Sequence, residues 1–302
     1  MAIFRELVRN RYLYLLGVPA LVFQLVFALI PMLGHVIAFE DYSLLKGIFG
    51  SEFIGLENFS YFFQGQDWLR VTLNTFWLNS LFIFFSLLFG VLIALAINEM
   101  RGNFFKRLAQ QAVFFPYFIS WVVVSMLALM VLKSDGILNN VLASAGAQPV
   151  KWYQESALWP AILTIIDVWK FAGYNSIIFL ATLVSISPEL YESAQIDGAS
   201  KFQQIRTITL PLLAPTVVTL VLLAVGRIFF GDFGMIYGIV GDQSLLYPTT
   251  DVIDTYSYRA LRLMGDFGMS SAIVLYQGLM GIITVLVANW LIRRYQSESS
   301  LF

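Results

Sequence analysis

Long apolar runs alternate with short polar connections along this chain, on a length scale set by a bilayer. A helix that crosses about 30 Å of hydrocarbon must satisfy its own backbone and needs roughly twenty nearly uncharged residues. Six segments meet that condition: 12–39, 71–97, 108–132, 156–187, 207–231 and 267–292. The first holds His35 and no Asp, Glu, Lys or Arg, and the second, third and sixth carry no charge at all. Asp167 and Lys170 interrupt the fourth, and Arg227 lies in the fifth. Pro19, Pro31 and Pro116 predict bends or helix-interface positions in the first and third. The first run is longer than the apolar core of a signal peptide and no A-x-A-like site follows it, so it reads as a retained span.

Lys and Arg in short connections mark the cytoplasmic side. Arg5, Arg9 and Arg11 precede the first span, Arg101, Lys106 and Arg107 follow the second, Lys201 and Arg206 follow the fourth, and Arg293 and Arg294 follow the sixth. All four groups fall on one side of a six-span plan, which places both termini inside. The opposite connections hold Lys46, Arg70, Lys133, Lys151, Arg259 and Arg262, spread over more residues and mixed with acids. Residues 58–68 are aromatic-rich and predict a short interfacial helix. Residues 136–153 predict a small helical cap on the outer face.

Composition narrows the chemistry. The 302 residues are 59% hydrophobic and 12% charged, whereas a soluble fold carries about a quarter charged residues. Cys 0 and His 1 exclude disulfides and catalytic thiols and remove most transition-metal ligands. A net charge of −1 gives no basic footprint for nucleic acid. Five glycines lie between residues 226 and 241, but no Gly-Lys-Ser/Thr ending follows, so no P-loop is present and the chain does not itself hydrolyse ATP. No catalytic residue, metal site or cofactor is expected in this chain.

The connection 187–215 is the informative one. Ser187 suits a helix cap and Pro188 the first helical position, with Glu189 and Glu192 near the positive end of the dipole. Leu190, Tyr191 and Ala194 form an apolar stripe. Gly198 can close that helix with a left-handed residue. A second helix is expected from about Ser200 to Leu210, with Pro211 marking re-entry into the membrane. The expected result is a two-helix protrusion on the cytoplasmic face.

These residues resemble the signature of the membrane-spanning subunits of ATP-binding-cassette importers that work with a substrate-binding protein: Glu-Ala-Ala, three residues, Gly, nine residues, Ile-x-Leu-Pro. Glu192, Ser193 and Ala194 fill the first element, with Ser for the middle Ala; Gly198, Ile208, Leu210 and Pro211 fall at the matching spacings, and Asp197 and Pro215 resemble the carbohydrate branch. The resemblance extends over about residues 73–294. Asp251 to Tyr256, with Tyr258, Arg259 and the stretch 267–272, is similar to permeases for oligosaccharides derived from complex polysaccharides.

The resemblance implies an all-α polytopic protein of six transmembrane helices in the bacterial inner membrane, with a cytoplasmic coupling-helix loop at 187–211. Residues 1–70 would form the first span and an outer amphipathic segment, 71–294 the importer transmembrane domain, and 295–302 a cytoplasmic tail. It also implies a second, homologous permease chain, two ATPase subunits that bind ATP and Mg2+, an extracellular solute-binding protein, an oligosaccharide substrate and surrounding lipid. Glu192 would supply a charge at the rim of a groove on the ATPase, Ala194 close packing and Gly198 the turn.

Sugar sites combine aromatic platforms with hydrogen-bonding side chains. Trp169, Lys170, Tyr174 and Asn175 in the fourth span, and Arg227, Asp232 and Tyr237 in the fifth and its exit, are the candidates for a substrate path. Charges inside a span cost about 2.5–3.5 kcal/mol each and face a cavity or a partner. Asp167 and Lys170, three apart, either pair with each other or face the path. Arg227 either meets the companion subunit or contacts an acidic sugar. Tyr174 and Asn175 serve either a sugar or a helix interface, and the glycine-rich stretch either lines a cavity or packs tightly. An ion-coupled secondary sugar transporter, using Asp167 and Lys170, is the competing reading.

Overall fold

The computed structural model describes residues 9–295, with side chains through Leu291. Arg5 and the tail from residue 296 lie outside the described residues, as do the side chains of Arg293 and Arg294. The described chain is almost entirely helical; its one sheet pairs Glu40–Asp41 with Glu52–Phe53 antiparallel. Six helices are long and apolar enough to cross a membrane: Arg11–Phe39, Trp68–Glu99, Trp121–Ser144, Ser156–Ser185, Lys201–Val225 and Phe267–Leu291. Two compact units result. One joins the residues up to Gly65 with Ser257–Tyr276, and the other joins Gln66–Tyr256 with the residues from Gln277 on.

In the first unit, no residue between Arg11 and Met32 is buried, as expected of a helix surrounded by lipid. Pro19 sits inside its regular part, and the turn before Pro31 widens to a π-helix over Leu25–Leu29. The extra residue in that turn relieves the clash between the proline ring and the carbonyl four residues earlier, so the helix continues. The interfacial helix spans Glu57–Gln64 and stops at Gly65; Trp68 instead opens the second span.

In the second unit, the second and fourth spans carry the packing. Leu78 and Phe82 share a buried cluster with Trp159 and Leu163, while Ala94 and Ile97 share another with Phe179, Leu180 and Leu183. The two helices therefore run in the same direction, as two even-numbered spans must. Lipid tails are as apolar as leucine, so close contact at small residues holds such helices together. A Cβ on Gly90 would stand 2.8 Å from the Asn175 Cβ, and one on Gly173 would stand 1.8 Å from the carbonyl oxygen of Val113.

The third span departs from the continuous helix expected over 108–132. It is a helix at Asn103–Phe114, a 3-10 turn at Phe115–Phe118, an extended link, and a new helix at Trp121–Leu132 capped by Ser120. Pro116 supplies no N–H to the helix, and Ile119 and Ser120 leave the helical region. The fifth span begins earlier than expected, at Lys201, and its regular helix ends at Val225. Arg227 therefore lies in the turn beyond the helix instead of within it.

Candidate functional site

Two regions of the second unit gather the candidate residues. The first is the connection after the fourth span. Ser187 caps the helix Pro188–Ile196 by accepting from the Glu189 N–H at 3.4 Å. Gly198 follows with φ +79°. Its N–H donates to the Gln195 carbonyl at 3.0 Å and that of Ala199 to the Ala194 carbonyl at 2.9 Å, which is the paired closure of a Schellman turn. Ser200 then opens the next helix with a reciprocal capping box to Gln203.

That helix does not end before Pro211. The turn widens to a π-helix over Ile205–Thr209 and continues as Leu210–Val225, the same device used before Pro31. The protrusion is thus one short helix folded against the first turns of the fifth span, a correction to the two separate helices expected. Tyr191 and Thr209 join their hydroxyls at 3.0 Å across the fold, and Gln204, 2% exposed, donates to the Ala199 carbonyl at 3.1 Å. Lys201 meets Glu99, at the end of the second span, at 3.3 Å. Glu192, Ser193, Asp197, Gly198 and Leu210 are exposed, and Ala194 and Ile208 are half-buried. Leu190, Ile196 and Phe202 are also bare, Ile196 to 86%. Ile196 and Phe202 are two exposed apolar side chains that the motif does not mark.

The second region is a cavity of about 590 Å³ between the second, third, fourth and fifth spans and the turn after the fifth. Tyr174, Asn175, Arg227 and Asp232 all line it. Tyr174 stacks on Tyr117 with centroids 4.6 Å apart and planes 16° off parallel, and Tyr117 stacks in turn on Phe114 at 5.7 Å. Tyr117 reaches the cavity because the third span breaks beside it. Asn79 and Ser86 from the second span join the lining. Sequence reading missed Asn79, Ser86 and Tyr117; only Pro116, one residue before Tyr117, signalled the break.

Asp167 and Lys170 do not pair. Asp167 accepts from the Ser86 hydroxyl at 2.5 Å. Lys170, 5% exposed, donates to the carbonyls of Pro116 and Tyr117 at 3.4 and 3.1 Å and also to that of Ile119, with Nζ 4.9 Å from the Trp121 ring. Its charge sits against the carbonyl end of the broken helix, where it satisfies acceptors that would otherwise be orphaned in hydrocarbon. Lys170 thus pins the break and does not face the cavity. Trp169 turns to the opposite side of its helix, between two apolar grooves. Tyr237 stacks on Phe233 at 5.0 Å and donates to Asp242 at 3.1 Å, away from the cavity lining.

The turn after the fifth span is held from below. The Gly231 N–H donates to Asp254 Oδ2 at 2.7 Å, and Gln277 donates to that oxygen and to the Phe229 carbonyl, each at 2.8 Å. Burial pushes the Asp254 carboxyl above the usual carboxylate range, and these donors pull it partly back. Asp232 accepts from Trp121 Nε1 at 2.6 Å and caps Met235 at 3.0 Å. Arg227 is exposed to the cavity and makes no ion pair among the described residues.

Six apolar spans, a capped hairpin between the fourth and fifth and a partly polar cavity among the helices are the architecture a transport permease requires. Residues 86–297 match the family described as binding-protein-dependent transport system inner membrane component, and the chain belongs to that family. It is a multi-pass inner-membrane transport component and not an enzyme. It is similar to Protein LplB of Bacillus subtilis, 32% identical over 96% of this chain and 91% of the relative. A polygalacturonan/rhamnogalacturonan transport system permease protein, YteP, of the same organism is 33% identical over 97% and 91%. Among solved structures, a bacterial ABC transporter involved in the import of the acidic polysaccharide alginate matches with TM-score 0.88 and 31% identity over 98% of this chain and all of that one. The alginate transporter in complex with an alginate pentasaccharide-bound periplasmic protein matches with TM-score 0.87. The ion-coupled reading finds no support in these relatives.

Proposed function

We propose that this chain is one permease half of an ATP-driven importer that carries an acidic oligosaccharide across the inner membrane. A companion permease completes the pathway, two ATPase subunits bind ATP and Mg2+, and an extracellular solute-binding protein delivers the sugar. Residues 71–294 form the transmembrane domain, both termini face the cytoplasm, and the connection 187–211 seats on an ATPase subunit. Glu192, Ser193 and Asp197 meet the rim of that subunit's groove, and Leu190, Ile196 and Phe202 fill it. Gly198 sets the fold between the two arms, and Ile208, Leu210 and Pro211 carry the motion into the fifth span.

The observation that carries the substrate reading is Arg227, an exposed cation with no ion-pair partner among the described residues, in a cavity whose wall is a parallel stack of Tyr117 and Tyr174. Stacked rings offer a face to the apolar side of a sugar, Asn175 and Asn79 offer hydrogen bonds, and a guanidinium addresses a carboxylate with paired donors. The relatives that act on polygalacturonan and alginate support the same class.

The test is uptake into proteoliposomes holding the full importer, with a uronic-acid oligosaccharide and a neutral one of equal length as probes. Arg227→Gln is expected to lower uptake of the acidic probe about tenfold, the scale of one charge-assisted contact, while neutral uptake is unchanged. Equal loss for both probes would refute a carboxylate contact.

A further inference from the structure

The first unit holds a second polar hollow, lined by none of the residues of the hairpin or of the cavity beside Arg227. About 500 Å³ in volume, it is lined by Glu40, Asp41, Glu57 and Asp266 together with Tyr42, Tyr61 and Phe267, and no lysine, arginine or histidine lines it. The turn chemistry that builds it is specific. Asn58, 6% exposed, donates to the carbonyls of Ala38 and Glu40 at 3.0 Å each, tying the strand Glu40–Asp41 to the helix Glu57–Gln64. A Cβ on Gly268 would stand 2.5 Å from the Asn58 amide nitrogen, so glycine there admits the start of the sixth span. Asp266 caps that span by accepting from the Met269 N–H at 2.8 Å.

Glu40 is the unusual member. Only 7% exposed, it lines the hollow, and its buried Oε2 has no hydrogen-bond partner. A buried carboxylate oxygen left unpaired is costly, and the cost falls when a cation arrives. The neighbouring acids act together: Tyr61 donates to Glu57 at 2.8 Å, and Glu57 first, then loss of solvent, then Asp266 and Asp41 push the Tyr61 phenol above its ordinary range. Two kinds of cation are conceivable on chemical grounds. A divalent metal needs several oxygens converging at about 2.3–2.6 Å, and among the described residues no three carboxylates or histidines gather closely enough to hold one. Spread acids around a wide hollow suit a long side chain with a forked cationic head instead. The rings of Tyr42 and Phe267, 5.5 Å apart, offer faces to it.

We infer that this hollow is a socket for an arginine or lysine side chain presented by the soluble solute-carrying protein that docks on the permease. The inference rests on the importer reading above, which puts the connections after the first and fifth spans, and so the socket, on the outer side where the carrier arrives. Charge complementarity commits it to a basic knob. The carboxylates at the mouth attract the carrier before contact, and Glu40 holds the side chain once it is seated.

The importer, assembled in nanodiscs with its companion permease and ATPase subunits, serves for the test. The importer's cognate solute-binding protein, loaded with its sugar, is the probe. Binding is followed by interferometry at two salt concentrations, and metal content by mass spectrometry. The double variant Asp41→Asn with Glu57→Gln is expected to weaken binding about tenfold and flatten its salt dependence. Glu40→Gln is expected to weaken it by a similar or larger factor, mainly through faster release. Glu57→Arg should be rescued by reversing one basic residue of the carrier. Wild-type affinity and salt dependence in the double variant, with co-purification of the ATPase subunits intact, would overturn the socket, and so would a stoichiometric bound metal. A wild-type importer that fails to bind the carrier at all would instead overturn the importer reading.

Discussion

The hairpin at 187–211 and the cavity beside Arg227 are held by opposite means. Each turn of the hairpin is closed locally, by the Ser187 cap, the Gly198 turn and the Ser200 capping box, so its side chains are left bare to meet another surface. Its outward tie is thin: the Lys201–Glu99 contact, both of whose side chains are about half exposed, is an ion pair of the kind worth about 0–1 kcal/mol. The cavity is the reverse. Ser86 to Asp167, Trp121 to Asp232 and Lys170 to the broken third span are pairings across 51 to 111 residues of sequence. The hairpin's caps are satisfied within itself, as the proposed lever role requires. The buried pairings of the chamber cannot be altered without either repacking helices or leaving polar atoms unsatisfied.

That contrast predicts where substitutions damage folding and where they damage coupling. The largest effect belongs to Gly173, whose close approach to Val113 packs the fourth span against the first helix of the third. Gly173→Leu forces two backbones apart and is expected to cost about 3 kcal/mol or more, seen as a lowered melting temperature and loss of monodispersity in detergent. A wild-type melt would break the claim that this close approach holds the third and fourth spans together. Next comes Lys170→Met, which leaves the carbonyls at the break without their donor at about 1–3 kcal/mol. The same melting experiment checks it, and Lys170→Arg should recover part of the loss. Arg227→Gln, exposed and outside the buried pairings, should leave the melt unchanged and alter only which probe is imported. A destabilised Arg227→Gln would blur the distinction between chamber wall and ligand contact.

How much of this was legible in the sequence follows from the same contrast. The hairpin is written in consecutive residues whose chemistry is local, so Ser187, Pro188, Gly198 and Ser200 announce its caps at their own positions. Six spans were legible because bilayer thickness sets their length. The route past Pro211 was not, because a proline that ends a helix and one relieved by a π-turn share the same local sequence. Asp167 and Lys170 stand at pairing distance on an ideal helix, yet each finds a better partner on another element. Tyr117 and Ser86 look like ordinary apolar-span residues until the break in the third span and the parallel run of the second and fourth spans bring them to one wall. Trp169 and Tyr174, five residues apart, project to different sides of one helix, and only the packing around them decides which of the two meets the cavity.

The most direct test of the account is the ratio of oligosaccharide imported to ATP hydrolysed by the full importer in proteoliposomes when Gly198 is replaced by valine. Gly198 has φ +79° with nothing within 4 Å of an added Cβ, so the change strains one turn by about 1–2 kcal/mol without a clash. The account predicts an assembled complex, its melt lowered by no more than the strain of that one turn, that still hydrolyses ATP and loses most of its uptake per ATP. Uptake and ATP consumption both at wild-type levels in that variant would contradict it.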